Sequence, residues 1–209
     1  MLEPGGEGPK APGVKSHLEM SGSLRIGVLA AQGDFREHAA MLGRLGGDVV
    51  EVRRPDQLDG LDGLVLPGGE STAIRRLIRI SGLEEGVAGF RGAIFGTCAG
   101  MIILGRDHLG LLDVAVERNA WGRQVASFEE DVDLDLGDGE APLRGIFIRA
   151  PRIRELGPDV EVLGRLRGEP VLVQEGRILA ASFHPELTAD TRVHERFLEL
   201  TREAGHVRA

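Results

Sequence analysis

The sequence predicts an α/β protein with a doubly wound, mostly parallel sheet and antiparallel additions. Up to about residue 105, short apolar runs alternate with amphipathic segments, a pattern typical of parallel βαβ units. Two glycine-containing motifs directly follow such runs, Pro67-Gly68-Gly69 and Gly96-Thr97-Cys98. Open α/β sheets place their ligands beyond the carboxyl ends of the strands, so we expect both motifs at one edge. After residue 110 the predicted strands have little helix between them, which indicates antiparallel pairing.

The first half of the chain supplies the parallel part of the predicted sheet. Its first strand, Leu24–Ala31, is mostly apolar and is therefore expected in the interior of the sheet. A helix follows over 34–42, and Gly46-Gly47 ends it, because glycine favours helix termini. A second helix begins at Glu70-Ser71, and a third covers 99–104. The other strands predicted in this half are 48–53, 61–66 and 93–95.

The second half predicts short strands and one closing helix. Residues 129–135 alternate charged and apolar side chains, as expected for a half-exposed edge strand. Residues 176–181 predict a strand that leads into a histidine motif, and 190–203 predict the closing helix. The remaining predicted strands are 114–117, 124–128, 145–148, 160–163 and 170–174.

Composition limits the classes of function. A chain of 209 residues with 42% hydrophobic residues is long enough for one domain with a sizeable core. Its net charge of −8 argues against nucleic-acid binding, which depends on neutralising phosphates. Its single cysteine excludes an internal disulfide framework and suits a reducing compartment, so we expect a cytoplasmic protein. No apolar run approaches the length that spans a bilayer, so we expect no membrane contact.

The N-terminal segment differs from the rest of the chain. Residues 1–23 begin with a stretch rich in glycine and proline that cannot build a core, and they lack the apolar region of a signal peptide. We therefore expect this extension to be disordered and residues 24–209 to form the folded domain. Met20, just before the first strand, is our hypothesis for the native start.

The motif around the single cysteine predicts a nucleophile. Gly96-Thr97-Cys98-Ala99-Gly100 is the thiol counterpart of the G-x-S-x-G elbow, a sharp strand-to-helix turn that presents a nucleophile. Side chains in place of the two glycines would crowd that turn. The start of a helix also favours the thiolate, the reactive form of cysteine. The alternative is a small buried hydrophobe, the usual role of a lone cysteine in an apolar stretch.

A histidine and a carboxylate near the C-terminus supply partners for that thiol. A cysteine nucleophile needs a base, and the base needs a third group to orient it. His184 and Glu186 are two residues apart, so on an extended backbone both would project to the same face. The H-x-E pattern also occurs in zinc deaminases, but those and structural zinc sites need further cysteines, which this chain lacks. The alternative is a solvated surface pair at a strand end.

A glycine pair after the third predicted strand indicates an oxyanion site. Gly68 and Gly69 precede a helix start, where bare N–H groups can face a developing negative charge. We expect the donors to be the backbone N–H groups of Gly69 and of Ala99, which follows Cys98. The alternative is an ordinary glycine turn between a strand and a helix.

The three features occur in the order that the class I, triad-type glutamine amidotransferases have. Within that superfamily the sequence resembles the glutaminase subunit of pyridoxal 5'-phosphate synthase from about Leu24 to the C-terminus. One segment, Leu104–Gly110, is shorter than the family pattern, which affects a predicted surface loop. The segments that carry the resemblance are 27–33, 66–72, 95–100, 116–119, 122–124, 147–151 and 182–187.

The resemblance implies an activity, a partner and a set of residues. It implies hydrolysis of L-glutamine to glutamate and ammonia, and delivery of the ammonia to a synthase subunit that makes pyridoxal 5'-phosphate. Cys98 would be the nucleophile, His184 the acid and base, and Glu186 the orienting carboxylate. No cofactor or metal is implied, and the terms hydrolase and lyase would both apply. The residues expected to meet glutamine are Gly68, Gly69, Glu70, Ser71, Arg118, Ile148 and Arg149.

Two of these residues, Arg118 and Arg149, are expected to clamp the carboxylate of the substrate, because a planar guanidinium fits a carboxylate well. Gln32, after the first strand, is expected at an interface or gate. Three alternatives remain. One is the glutaminase of another amidotransferase, such as imidazole glycerol phosphate synthase. The others are a non-catalytic interaction subunit, and a cysteine protease or stress-response protein on the same fold.

Overall fold

A computed structural model describes residues 23–118, 127–137 and 141–206 of the chain. The first half alternates strands and helices as the sequence predicts. Its strands are β1 (Arg25–Leu29), β2 (Asp48–Val52), β3 (Gly63–Leu66) and β4 (Ala93–Thr97). Its helices are α1 (Phe35–Arg44), α2 (Ser71–Ile80), α3 (Leu83–Ala88) and α4 (Ala99–Leu104), with a 3-10 turn at Pro55–Leu58.

The second half consists mainly of strands. They are β5 (Val114–Glu117), β6 (Ser127–Leu134), β7 (Leu143–Ile148), β8 (Arg152–Leu156), β9 (Glu161–Leu166), β10 (Glu169–Glu175) and β11 (Ile178–Ala181). A 3-10 turn, Pro185–Leu187, and helix α5 (Arg192–His206) follow. None of the described helices combines the length and apolar composition needed to cross a membrane.

One nine-stranded sheet organises the fold, in the order β2-β1-β3-β4-β11-β10-β9-β6-β7. Strands β2, β1, β3, β4 and β11 are parallel, and the remaining neighbours are antiparallel. Strands β5 and β8 form a separate antiparallel pair. The predicted doubly wound sheet with antiparallel additions is therefore confirmed. The chain leaves β1 first toward β2 and later toward β3 on the opposite side, so a switch point for ligand binding lies between β1 and β3.

Alternating side chains bury both faces of the sheet. Val65 packs in the layer that holds α1 and α5, whereas its neighbours Leu64 and Leu66 pack in the layer that holds α2, α3 and α4. All three residues are fully buried. Since both faces carry helices, the strands have to be apolar throughout, and this explains why the sequence shows continuous apolar runs.

The structure corrects the predicted position of one strand and contains two elements that the sequence did not predict. Residues 129–134 of the predicted edge strand 129–135 belong to β6, which pairs with β7 on one side and with β9 on the other. Its alternation reflects one buried and one exposed face, which an interior antiparallel strand also has. Strand β8 and helix α3 were not predicted, because Arg152–Leu156 is rich in charge and Leu83–Ala88 is short and contains a glycine.

Other sequence-based expectations fall where the structure gives no description. Residues 1–22, which include Met20, and residues 119–126 lie outside the described residues. The second range includes 124–126 of one predicted strand, the resemblance segment 122–124 and the last residue of the segment 116–119.

The glycines of the cysteine motif permit close contact between α4 and the sheet. A Cβ on Gly100 would lie 2.0 Å from the backbone oxygen of Leu66, and one on Gly96 would lie 2.8 Å from the backbone carbon of Gly100. Neither neighbour can move without shifting a strand or the helix. The crowding that the sequence predicts at this turn is therefore present.

We expect Gly100→Ala to lower the free energy of unfolding by about 1–3 kcal/mol, because the added methyl group overpacks the contact between α4 and β3. Gly43→Ala is the matched control, since Gly43 is also helical and a Cβ added there would have nothing within 4 Å. It should raise the free energy of unfolding by about 0.5–1 kcal/mol, the usual cost of a helical glycine. Urea denaturation measures both values, and an unchanged Gly100→Ala protein would contradict the packing.

Candidate active site

The predicted site residues converge at the carboxyl ends of the parallel strands. The loops after β1, β3, β4 and β11 surround a cavity of about 330 Å³ at the switch point of the sheet. This arrangement follows from parallel pairing, because all four strands end at the same edge. The residues that line the cavity are Gln32, Gly33, Asp34, Gly69, Glu70, Ser71, Cys98, Ile102, Arg118, Ile148, Arg149 and His184.

Cys98 occupies the strained turn between β4 and α4. Its φ of 48° and ψ of −101° are conformations that non-glycine residues rarely adopt. The backbone N–H donates a 2.8 Å hydrogen bond to the carbonyl oxygen of Ala181, which ties the turn to β11. The thiol lines the cavity and approaches the carbonyl oxygen of Ile148, with 3.7 Å between sulfur and oxygen. The thiol is therefore directed into the cavity and not into the hydrophobic core.

His184 and Glu186 form the buried half of the site. The histidine Nδ1 lies 2.8 Å from Glu186 Oε1, and both side chains are almost completely buried. The local backbone differs from the prediction of an extended strand. β11 ends at Ala181, and Glu186 sits in the 3-10 turn Pro185–Leu187, with Pro185 at its first position. The two side chains meet because this turn folds Glu186 back toward His184.

A second carboxylate, which the sequence analysis missed, also faces His184. Asp34 Oδ2 lies 3.3 Å from His184 Nδ1. Asp34 occupies the cap position of α1, yet its side chain makes no cap hydrogen bond. The hydrogen bond with His184 lowers the pKa of Asp34 despite the opposing effect of burial. An aspartate before a helix usually signals a cap, so the sequence alone gave no reason to assign it to the site.

The contacts around His184 favour its charged form. Burial disfavours the imidazolium, but hydrogen bonds with Asp34, Cys98 and Glu186 outweigh burial and raise the pKa of His184 to about 12. Burial also raises the pKa of the Glu186 carboxyl, while the hydrogen bond from His184 opposes that change. A protonated His184 between two carboxylates and a thiol is suited to stabilise a thiolate and later to release a proton.

Gly68 provides the space that His184 occupies. A Cβ at this position would lie 2.3 Å from His184 Cε1, so a larger residue would displace the ring. Gly68 therefore contacts the His184 ring, although Gly68 itself does not line the cavity. Gly69 lines the cavity, and Ala99 is the first residue of α4, directly after Cys98. Their roles as oxyanion donors remain predictions.

The expected substrate residues surround the mouth of the cavity. Glu70 accepts hydrogen bonds from the backbone N–H groups of Thr72 and Ala73, at 3.0 and 2.7 Å, and so caps α2. These bonds, above all that from Thr72, lower the pKa of Glu70. Arg118 reaches the same carboxylate, with 3.4 Å between Nη2 and Oε1. Arg149 has a φ of 46°, a second strained backbone position at the cavity.

Several residues near the site were not singled out from the sequence. Gly33 and Ile102 line the cavity, and His38, Thr97 and His194 are fully buried behind Glu186. A signal existed for Thr97, which lies inside the cysteine motif. His38 and His194 lie on amphipathic helices, where a polar residue gives no indication of the face it occupies.

Among the described residues, one group brings metal-type donor atoms together, namely Asp34, His184 and Glu186. Its shortest contact, 2.8 Å between His184 Nδ1 and Glu186 Oε1, has the length of a charge-assisted hydrogen bond. We therefore assign these atoms to the orientation of the histidine. The expectation that no metal or cofactor takes part stays a prediction.

Comparison with known proteins identifies relatives over most of the chain. A protein from Thermus thermophilus named pyridoxal 5'-phosphate synthase subunit PdxT is 56% identical over 187 residues, which cover 84% of this chain and 96% of that protein. A protein of the same name from Acidothermus cellulolyticus is 50% identical over 200 residues, which cover 88% of this chain and 96% of that protein. These matches confirm the family resemblance drawn from the motifs.

Solved structures agree with the fold. A structure described as a glutamine amidotransferase has a TM-score of 0.78 and 52% identity, and the match covers 85% of this chain and 98% of that one. PurLQS from Thermotoga maritima has a TM-score of 0.60 and 19% identity, with 87% of this chain and 97% of that one covered. The second likeness supports the fold alone.

The comparisons also decide between expectations of function. They support amidotransferase chemistry, and the expected term lyase is wrong for this chain. The model of the SNO glutamine amidotransferase family matches residues 28–203. The chain belongs to the SNO glutamine amidotransferase family.

Proposed function

We propose that this chain hydrolyses L-glutamine to glutamate and ammonia and delivers the ammonia to a synthase subunit that makes pyridoxal 5'-phosphate. Residues 24–209 would form the amidotransferase domain. Cys98 would act as the nucleophile, His184 as the acid and base, and Glu186 as the carboxylate that orients His184. The observation that carries the proposal is that Cys98 and His184 line one cavity, with Glu186 Oε1 2.8 Å from Nδ1 of the imidazole.

The first half of the reaction is acyl transfer to sulfur. Cys98 starts as the thiolate of an ion pair with protonated His184, and the thiolate attacks the side-chain amide carbon of glutamine. The carbonyl oxygen becomes negative and would be held by the backbone N–H groups of Gly69 and Ala99. His184 then donates its proton to the amide nitrogen, the carbon–nitrogen bond breaks, and ammonia leaves. The product is a thioester between Cys98 and the glutamyl group.

The second half regenerates the enzyme. His184, now neutral, takes a proton from water, and the resulting hydroxide attacks the thioester carbon. The carbon–sulfur bond breaks, glutamate leaves, and the proton on His184 restores the starting ion pair with Cys98. Glu186 supports both steps, because a fixed carboxylate at Nδ1 keeps Nε2 of the ring available to the reacting groups.

The mouth of the cavity offers groups for the other end of the substrate. Arg118 and Arg149 supply positive charge for the α-carboxylate of glutamine. Gly68, Gly69, Glu70, Ser71 and Ile148 complete the expected contacts. Arg118 already contacts Glu70, so a bound carboxylate would compete for the same guanidinium.

The partner follows from the relatives, whose name places them in pyridoxal 5'-phosphate synthase. Gln32 is exposed and lines the same cavity as Cys98, a position suited to an interface or gate toward a second subunit. The test is glutamate release from glutamine, measured with and without the synthase subunit from the same organism. Absence of glutamate release in both conditions would refute the proposal.

Cys98→Ala should reduce glutamine-dependent glutamate release at least about 1000-fold, because the covalent step is lost. The complex with the synthase subunit should still form pyridoxal 5'-phosphate when ammonium replaces glutamine. This second assay is the control for folding and assembly. Retained glutaminase activity in the variant would refute the assignment of the nucleophile.

Glu186→Gln should shift the alkaline limb of the activity profile to lower pH. The Glu186 carboxylate helps to raise the pKa of His184, so its removal lowers that pKa, and the protonated form is lost at a lower pH. Asp34→Asn should shift the limb in the same direction, because Asp34 Oδ2 also faces His184 Nδ1, at 3.3 Å. The measurement is kcat/KM for glutamine as a function of pH. An unshifted limb in Glu186→Gln would contradict the assignment.

Arg118→Ala and Arg149→Ala should each raise KM for glutamine about 10-fold or more, the value of one lost charge-assisted hydrogen bond. A glutamine analogue whose α-carboxylate is an amide should show no such change between variants. Arg144→Ala is the control, since Arg144 pairs with the exposed side chains of Glu129 and Asp131, outside the cavity. Equal KM values in all three variants would contradict the proposed role of Arg118 and Arg149 in binding the α-carboxylate of glutamine.

A further inference from the structure

A buried polar cluster lies behind the triad, and the proposed mechanism does not use it. It consists of His38 on α1, Thr97 at the end of β4 and His194 on α5, each fully buried. Apolar side chains surround the cluster, and the ring of Phe95 meets both histidines edge-on, with 5.8 and 5.6 Å between ring centroids. Polar groups cost free energy in such surroundings unless they bind one another, and His38 contacts both of the others at hydrogen-bond distance.

The cluster touches the site through the second oxygen of Glu186. Oε1 of that carboxylate faces His184, whereas Oε2 lies 3.3 Å from His38 Nε2. Oε2 has no standard hydrogen bond among the described residues. His38 Nε2 also lies 3.0 Å from Thr97 Oγ1, and Nδ1 lies 3.0 Å from His194 Nε2. His38 Nε2 thus faces the outer oxygen of the carboxylate.

These contacts favour one arrangement of protons. Burial lowers the pKa of His38 well below its ordinary value and that of His194 to about 4, so both rings are neutral. A neutral imidazole has one N–H donor and one bare acceptor nitrogen. An ionised Glu186 requires the proton of His38 at Nε2, because a bare nitrogen would repel the carboxylate. Nδ1 of His38 is then an acceptor, and His194 donates to it from Nε2.

This arrangement of protons also accounts for a buried nitrogen atom of His194 that has no hydrogen-bond partner in the described part of the chain. His194 Nδ1 is buried and has no hydrogen-bond partner among the described residues. In the assigned tautomers this nitrogen is a bare acceptor. The reverse assignment would bury an N–H donor there and place a lone pair against Glu186.

We propose that His38 is a positioning residue for Glu186: its Nε2, 3.3 Å from Oε2, presents the positive end of an N–H dipole that stabilises the carboxylate and keeps Oε1 aligned with His184. His194 fixes the tautomer of His38. Thr97, directly before Cys98, links the same nitrogen to the strand that carries the nucleophile. The cluster therefore joins α1, β4, α5 and the 3-10 turn at Glu186 into one support for the site. This inference rests on the proposed glutaminase function.

The test compares two replacements of His38 in the complex with the synthase subunit. His38→Leu keeps an apolar body without an N–H, and it should lower kcat for glutamine on the order of 10- to 100-fold, as loss of an outer support typically does. KM should stay within about threefold, because His38 touches no substrate group. His38→Gln places an amide N–H near the former Nε2 and should recover most of kcat. Leu42→Met, a buried change on the same helix, should leave kcat unchanged.

A measurement on the unaltered protein keeps the inference testable if His38→Leu does not fold. Nitrogen-15 NMR of labelled histidine should find both His38 and His194 neutral and protonated at Nε2. A proton at Nδ1 of His38, or a wild-type kcat in folded His38→Leu, would overturn the inference. If the wild-type complex releases no glutamate, the proposed function itself fails, and the positioning role fails with it. An active wild type with an unchanged His38→Leu overturns the positioning role alone.

Discussion

The contact between His184 and Glu186 is the interaction on which the rest of the site depends. It places a protonated ring and a carboxylate 2.8 Å apart in surroundings that exclude most water. Removing two charges from water is costly, so such a pair persists only when further polar contacts complete it. Asp34 supplies such a contact for the histidine, and His38 faces the open oxygen of the carboxylate. Asp34 and His38 thus lie where each can compensate part of the charge that is buried at His184 and Glu186.

The parallel sheet makes this concentration of groups possible. Four strand ends meet at one edge, and each contributes a single short loop, so residues far apart in the chain arrive within one cavity. The close approach of these loops needs positions without side chains. Gly68 leaves room for the imidazole, and Gly100 lets α4 rest against the backbone of β3. The strained φ of Cys98 has the same origin, because the elbow must turn sharply to present sulfur at the sheet edge.

The mouth of the cavity and its base follow different electrostatic rules. At the mouth, Arg118 and Glu70 are about half exposed, so their ion pair contributes little to stability and its partners can be exchanged. At the base, Glu186 and His38 are sealed from water, and removal of either partner leaves an uncompensated polar group. A mouth that exchanges partners suits the entry of a charged substrate. A rigid base suits the alignment of reacting atoms.

The sequence by itself determined the sheet type, the three motifs of the site and the family. Those features depend on local pattern, namely apolar runs, glycines at fixed offsets, and the order of Cys98 and His184 along the chain. Only the tertiary structure decided that Asp34 turns away from its helix to meet His184, and that β6 lies between two strands. The same holds for His38 and His194, which are 156 positions apart. Such contacts join residues whose local sequences are ordinary, and folding alone creates the surroundings that give them a role.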